Sequence, residues 1–205
     1  MLWALAQPAA MAGLITAFAI GVGLRAAASW SVAGLLKMRC DAVSTRFDPL
    51  GVVAACFSGT GWGRPVGAPA SRRERWVIAA GPVAVLLASQ LAFVAYRRTY
   101  PDLGLPLRLY RPSDVLHGAV APTHAAQLML SVAVGLLCFG LLALLPVPPF
   151  DGYRLITVPA PARPTAGEQL AALVAFVLLV VPVAGRPPLL MALDTVAGPL
   201  VRVWA

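Results

Sequence analysis

The chain has 205 residues, 60% of them hydrophobic and only 12% charged, with a formal charge of +8 and a mean hydropathy of +0.81. Soluble domains carry about 25% charged residues, so the composition excludes an ordinary water-soluble domain and points to an integral membrane protein with the lipid bilayer as its surroundings. The basic residues sit in short loops between apolar runs, where they set topology and meet anionic headgroups, and no basic helix or aromatic–basic interleaving points to nucleic acid.

Met1–Ala9 has no basic n-region, so the first apolar run is expected to be retained rather than cleaved. Residues 9–36 are predicted to span, since about 20 apolar residues cross the hydrocarbon core. Arg25 lies inside this run; a lone arginine at such depth is costly and should face other helices or water. Gly13, Gly21, Gly23 and Gly34 predict close helix packing. Lys37–Asp48 reads as a polar loop. Residues 50–62 are apolar but short, which predicts a re-entrant or interfacial segment or a short tilted crossing. A Pro/Gly/Arg loop leads to a second span, 76–96, with Gly81-Pro82 near its start. Residues 97–123 are the longest polar connection, carrying His117 and bordered by His124. A third span is predicted over 125–145, a proline-rich turn follows over 146–165, and a fourth span over 167–184 is kinked late by Pro182. The final stretch, 187–204, is expected to lie along the interface. No internal repeat is visible, so 1–205 reads as a single polytopic domain.

The three cysteines, Cys40, Cys56 and Cys138, form no CxxC or Cys/His cluster, so neither a disulfide framework nor a cysteine metal site is supported and small buried apolar roles are expected. With 50–62 re-entrant, residues 37–75 and 146–165 share one side. That side holds Lys37, Arg39, Arg46, Arg64, Arg72, Arg73, Arg75, Arg154 and Arg163, nine basic residues, against four (Arg97, Arg98, Arg108, Arg111) on the other. Cytoplasmic loops carry the excess of Lys and Arg, which places 37–75 and 146–165 in the cytoplasm. The Ala/Arg/Gly/Pro-rich usage, with Lys37 the one lysine, points to a high-GC bacterial genome and hence the bacterial cytoplasmic membrane.

The chemistry concentrates in Leu145-Pro146-Val147-Pro148-Pro149-Phe150-Asp151-Gly152. A carboxylate on a proline-held, non-helical stretch at the end of an apolar span is expensive unless it is buried in protein or lines a wet cavity, so Asp151 marks a site. Three islands resemble the site-2 protease family of intramembrane zinc metalloproteases. Phe47-Asp48-Pro49-Leu50-Gly51 is similar to its His-x-Asp-Pro-x-Gly segment. Gly61-Trp62-Gly63-Arg64-Pro65-Val66 is similar to its Gly-Trp-Ala-Lys-Pro-Val segment and is followed by Ala80-Gly81-Pro82, where the family reads Ala-Gly-Pro. Pro146–Gly152 resembles Asn-x-x-Pro-x-Pro-x-x-Asp-Gly. The resemblance covers about residues 24–156 and implies an all-α integral membrane protein: about four transmembrane helices and a short re-entrant or interfacial segment around a site-2-protease-like core. The family positions carried over are Asp48, Pro49, Gly51, Trp62, Pro65, Pro146, Pro148, Asp151 and Gly152, with Asp151 in the place of the third metal ligand.

Family members hold zinc with two histidines of a His-Glu-x-x-His stretch, where the i, i+4 spacing puts both on one helix face and the metal lowers the pKa of bound water. Here the corresponding helix reads Gly23-Leu24-Arg25-Ala26-Ala27-Ala28-Ser29-Trp30, without His or Glu. His117 and His124 are seven residues apart, about 10 Å of helical rise, too far to share a metal within one helix, and read as solvated or capping residues. Glu74 and Glu168 read as charges at segment ends, and Ser113, Asp114 and His117 as loop neighbours rather than a triad. No metal or other cofactor is therefore expected, zinc belonging only to an enzyme reading. Arg25 is a candidate charge partner for Asp151; the alternative is that it snorkels to an interface. The islands also have structural readings: Asp48 as an N-cap with Pro49 at N1, Gly61–Pro65 as a turn, and Pro146–Pro149 as a helix stop.

The expectation is a catalytically inactive site-2-protease-like membrane protein acting as a scaffold, regulator or subunit of a membrane complex, with protein partners in the membrane. Two alternatives are an active intramembrane zinc metallopeptidase with non-standard ligands and an unrelated small channel or transporter subunit; against the latter, no inverted repeat is visible.

Overall fold

The computed structural model describes residues 7–37, 48–63, 74–118, 120–157, 165–183 and 185–205. Among them the chain is all-helical: α1 (Pro8–Leu35), α2 (Pro49–Ser58), α3 (Glu74–Thr99), α4 (Leu105–Leu109), α5 (Pro112–His117), α6 (His124–Ala143), α7 (Asp151–Ile156), α8 (Ala166–Val180) and α9 (Pro188–Arg202). Three of these, α1, α3 and α6, are long and apolar enough to cross a membrane. They pack on one another as a three-helix bundle.

Helix α6 is the hub, 72% buried over its apolar window against 44% for α1 and 39% for α3. Its apolar residues run around the whole helix, which suits a helix surrounded by protein. Thr123 caps it by accepting the Ala126 N–H at 3.2 Å. Gly13 on α1 lets that helix close on α6: a Cβ there would stand 2.6 Å from the Leu128 carbonyl oxygen. Gly23 and Gly34 do not serve the packing role expected of them, since a Cβ at either meets nothing within 4 Å. Ser89 of α3 donates to the Ala133 carbonyl of α6 at 3.0 Å, a buried bond between helices.

The other elements differ from their expected form in instructive ways. The segment 50–62 is a 10-residue helix, α2, followed by an extended stretch. At about 15 Å α2 is too short to cross. The fourth expected span is α8, with 15 residues, about 22 Å long against a hydrocarbon core of about 30 Å. It ends at Val180 because Pro182 cannot continue the ladder. Pro82 lies well inside α3 rather than near its start, since α3 begins at Glu74. The long polar connection contains two short helices, α4 and α5, each opened by a proline in its first turn. Helix α9 packs along α5, α6 and α8, burying Leu190, Leu193, Ala197 and Val201 and exposing Met191, Val196 and Leu200. Its end is tied to α3: the Trp204 indole donates to Gln90 at 2.9 Å and stacks on Phe93. Cys138 is buried, whereas Cys56 is exposed on α2, contrary to the buried role expected; Cys40 lies outside the described residues.

Gln127, near the start of α6, is a buried latch. Its carbonyl oxygen accepts the N–H groups of Val120 and Ala121, each at 2.8 Å, and its amide donates to the Gly118 carbonyl and Ser131. All four hydrogen-bonding roles of the glutamine amide, two as acceptor and two as donor, are filled. Gln127→Leu strands two backbone donors, so we expect a loss of about 1–3 kcal/mol. Unfolding of the detergent-solubilised variant measures it, and wild-type stability would remove the latch.

Candidate functional site

Arg25 points from α1 into the bundle and is 5% exposed; Asp151 is the first residue of α7 and is 2% exposed. The guanidinium grips the carboxylate with both arms, Nε to Oδ2 and Nη2 to Oδ1, each at 2.5 Å. This fork-on-fork geometry is the strongest arrangement available to an arginine and a carboxylate. It also resolves a cost, because either charge alone at this depth would be severely destabilising. Asp151 reaches the site because the proline-rich turn ends α6 and delivers it at an N-terminus, where a negative charge suits the helix dipole. The turn contains a cis bond between Pro148 and Pro149 and closes with the Phe150 N–H donating to the Val147 carbonyl at 3.0 Å.

The islands far apart in sequence meet around this pair. Trp62, Gly63, Phe139, Ala143, Pro149 and Phe150 line it, and the remaining space is about 10 Å³, room for one water at most. Asp48 does cap α2, accepting the Leu50 N–H at 3.0 Å, and its other oxygen accepts the Trp62 indole N–H at 3.2 Å. Trp62 in turn meets Phe150 edge to face, with ring centroids 5.5 Å apart. Gly51 and Gly61 allow α2 and the extended stretch to touch: a Cβ at Gly61 would lie 2.1 Å from the Gly51 carbonyl oxygen. Gly63 and Gly81 both face the arginine, with added Cβ atoms 3.0 Å from Nη1 and 2.7 Å from Cγ respectively. Gly152 sits against the backbone of Leu144 and Leu145. Pro146 and Pro148 belong to the turn itself. Pro65, Phe47, Arg64 and Val66 lie outside the described residues.

These residues do not fit a zinc centre. Such a centre needs three or four N, S or O ligands, and here one carboxylate faces a guanidinium that already takes both its oxygens. Among the described residues no group of three or more His, Cys, Asp or Glu side chains could hold a metal ion. One helical turn beyond Arg25, the hydroxyl of Ser29 is fully buried and makes no hydrogen bond. It lies near Gly81, whose added Cβ would be 3.3 Å from it.

The histidines stand at the other end of the bundle. His124 is exposed at the first position of α6, about 30 Å along the helix from its Ala143 end. His117 ends α5, where burial pulls its imidazole below its ordinary pKa, with Asp114 opposing. Ser113 and Asp114 do not form a triad with it. Ser113 donates its backbone N–H and its hydroxyl to Asp194 of α9, at 2.9 and 2.6 Å, and Asp114 pairs with Arg186 at 3.1 Å. This joint between α5 and α9 is structural, and sequence reasoning missed Asp194 because its partner lies 81 positions away. Glu74 opens α3, and Glu168 forms a reciprocal capping box with Thr165. Beside the site, burial lowers the pKa of Arg154, while the Asp151 and Glu168 carboxylates act against it.

Comparisons with family models, with curated proteins and with solved structures find no match to this chain.

Proposed function

We propose that this chain is a catalytically inactive, site-2-protease-like membrane protein that acts by binding, as a scaffold, regulator or subunit of a membrane complex in the bacterial cytoplasmic membrane. The observation that carries this reading is the Arg25 guanidinium seated on Asp151. In the resembled family that carboxylate serves a metal; here a fixed positive charge on the chain itself takes the metal's electrostatic role. Placing a divalent cation at Asp151 means expelling a guanidinium from a pocket with room for no more than a water and leaving it buried beside a second positive charge.

The convergence of all the islands on one pair supports a site-2-protease-like core. The shortness of α2 supports the orientation. Because α2 does not cross, the end of α1, the start of α3 and the end of α6 share one face, with 37–75 and 146–165 in the cytoplasm. In this reading α8 is a short fourth membrane helix and α9 an interfacial one.

Metal analysis of protein purified from native membranes in mild detergent tests the proposal. We expect no stoichiometric zinc, and discrete protein partners at fixed ratio. One zinc per chain that disappears in Asp151→Asn would overturn it in favour of the metallopeptidase.

A further inference from the structure

The short helix α4 carries two opposite demands on one face. Pro106 and Leu107 are buried. Leu105, Arg108 and Leu109, at i, i+3 and i+4, share the outward face and are exposed, the two leucines by 62% and 66%. Neighbouring elements fix the level of this face. The hydroxyl of Tyr96, in the last turn of α3, donates to the Leu103 carbonyl at 3.2 Å. A Cβ on Gly104, the N-cap of α4, would lie 3.4 Å from the backbone of Ala205, just beyond α9. With 26 residues, α3 is about 39 Å long against a hydrocarbon core of about 30 Å. Its last turn, α4 and the end of α9 therefore lie together where hydrocarbon gives way to headgroups.

Depth and charge select the occupant. Water beside this face would leave both leucines unburied, and hydrocarbon alone would strand the guanidinium. The boundary satisfies both. An arginine there lays its stem along apolar surface and carries its head to the phosphates, whose oxygens match the guanidinium fork. Two more exposed arginines flank the helix: Arg111, two residues beyond it, and Arg202, the last residue of α9, which packs on α4. Tyr110 and Val203, exposed beside them, continue the apolar rim. Among the described residues none of the three arginines enters an ion pair: Asp114 is taken by Arg186, and Asp102, exposed in the turn before α4, pairs with none of them. Three positive charges with no carboxylate paired to them favour a headgroup of net negative charge over a zwitterion.

We infer that α4 and the end of α9 form a binding surface for an anionic phospholipid, with the headgroup among Arg108, Arg111 and Arg202 and the acyl chains against Leu105 and Leu109. This goes beyond the inert-scaffold reading and rests only on residence in a membrane, so a zinc result leaves it standing and its failure leaves the zinc question open.

Native mass spectrometry of protein released from nanodiscs of equal phosphatidylglycerol and phosphatidylcholine tests it. The wild type should retain phosphatidylglycerol in preference. Arg108→Gln, Arg111→Gln and Arg202→Gln should each lower that preference about fivefold, and the triple glutamine variant should abolish it. The triple variant Arg108→Lys/Arg111→Lys/Arg202→Lys keeps the charge and should keep the preference, which separates lost charge from lost fold. Lys37→Gln removes an exposed charge just past the C-terminal end of α1, at the opposite end of the bundle, and should change nothing. Four results would each overturn the inference: no preference in the wild type, a preference that survives the triple glutamine variant, one lost equally in the triple lysine variant, or one weakened as much by Lys37→Gln as by Arg108→Gln. Release of a bound protein rather than a lipid by the triple glutamine variant would do so too.

Discussion

Replacing Arg25 by Met is expected to be among the most damaging single changes in this protein, and the damage should depend on pH. The substitution keeps most of the side-chain volume but strands the Asp151 carboxylate, which is 2% exposed. Breaking a buried pair by removing one partner costs about 3–5 kcal/mol. Acid should relieve the loss, because protonating the carboxyl removes the stranded charge. Asp151→Asn strands the guanidinium instead, and an arginine stays protonated in proteins, so acid should bring no relief there. The double variant Arg25→Met/Asp151→Leu should recover most of the stability, since well-packed apolar replacements of a buried pair are often neutral or better. Thermal unfolding in detergent at neutral and acid pH reads all four proteins, and the double-mutant cycle isolates the coupling. If the two single losses simply add in the double variant, the pair contributes no coupling and the site described here is wrong.

The parts legible in the sequence are those where one physical term dominates. Hydropathy alone marks α1, α3 and α6, because burying or solvating their apolar length outweighs any local preference. Arg25 and Asp151 stand out for the same reason: a charge within or at the end of an apolar run is conspicuous, and few partners are on offer at that depth. The convergence of Asp48, Trp62 and Phe150 on that pair is foreshadowed by motif order but not by any local signal, since each contact joins separate segments. The rest was hidden where neutral groups do the work. Gln127 resembles any polar residue near a helix start, and only the fold shows that it binds the backbone of Gly118, Val120 and Ala121. Helices α4 and α5 are too short to carry a periodic pattern, and α5 is completed by Asp194 from the far end of the chain. The length of α8 was overestimated because the apolar run continues past Pro182, where the helix cannot follow. Cys56 and Gly23 were misjudged because an apolar helix in lipid has no polar face to show which side is buried.

Gly61→Ala should be nearly as costly, although it adds one methyl group. The new Cβ would sit 2.1 Å from the Gly51 carbonyl oxygen and 2.9 Å from the Ala55 Cβ. Neither neighbour is the far end of a flexible side chain, so the backbone of α2 or of the extended stretch has to move. Overpacking a close-packed contact typically costs about 1–3 kcal/mol and occasionally more, and a clash with backbone belongs at the upper end. Gly51→Ala meets the Trp62 carbonyl oxygen at 2.0 Å, from the other side of the same contact. The two substitutions should therefore be strongly non-additive, because once the strands of backbone have parted the second methyl meets little. Gly23→Ala is the control: its Cβ meets nothing within 4 Å, and alanine is the better helix former by about 1 kcal/mol, so stability should hold or rise. The consequence reaches the charged pair. Displacing residues 60–63 draws Trp62 away from Asp48 and Phe150 and opens the wall beside Arg25. Gly61→Ala should then let water reach Asp151, and the acid relief expected of Arg25→Met should shrink in that background, because a wet carboxylate has less to gain from a proton. A Gly61→Ala protein as stable as Gly23→Ala would show that the extended stretch does not press on α2, and the wall that seals the ion pair would have to be sought elsewhere.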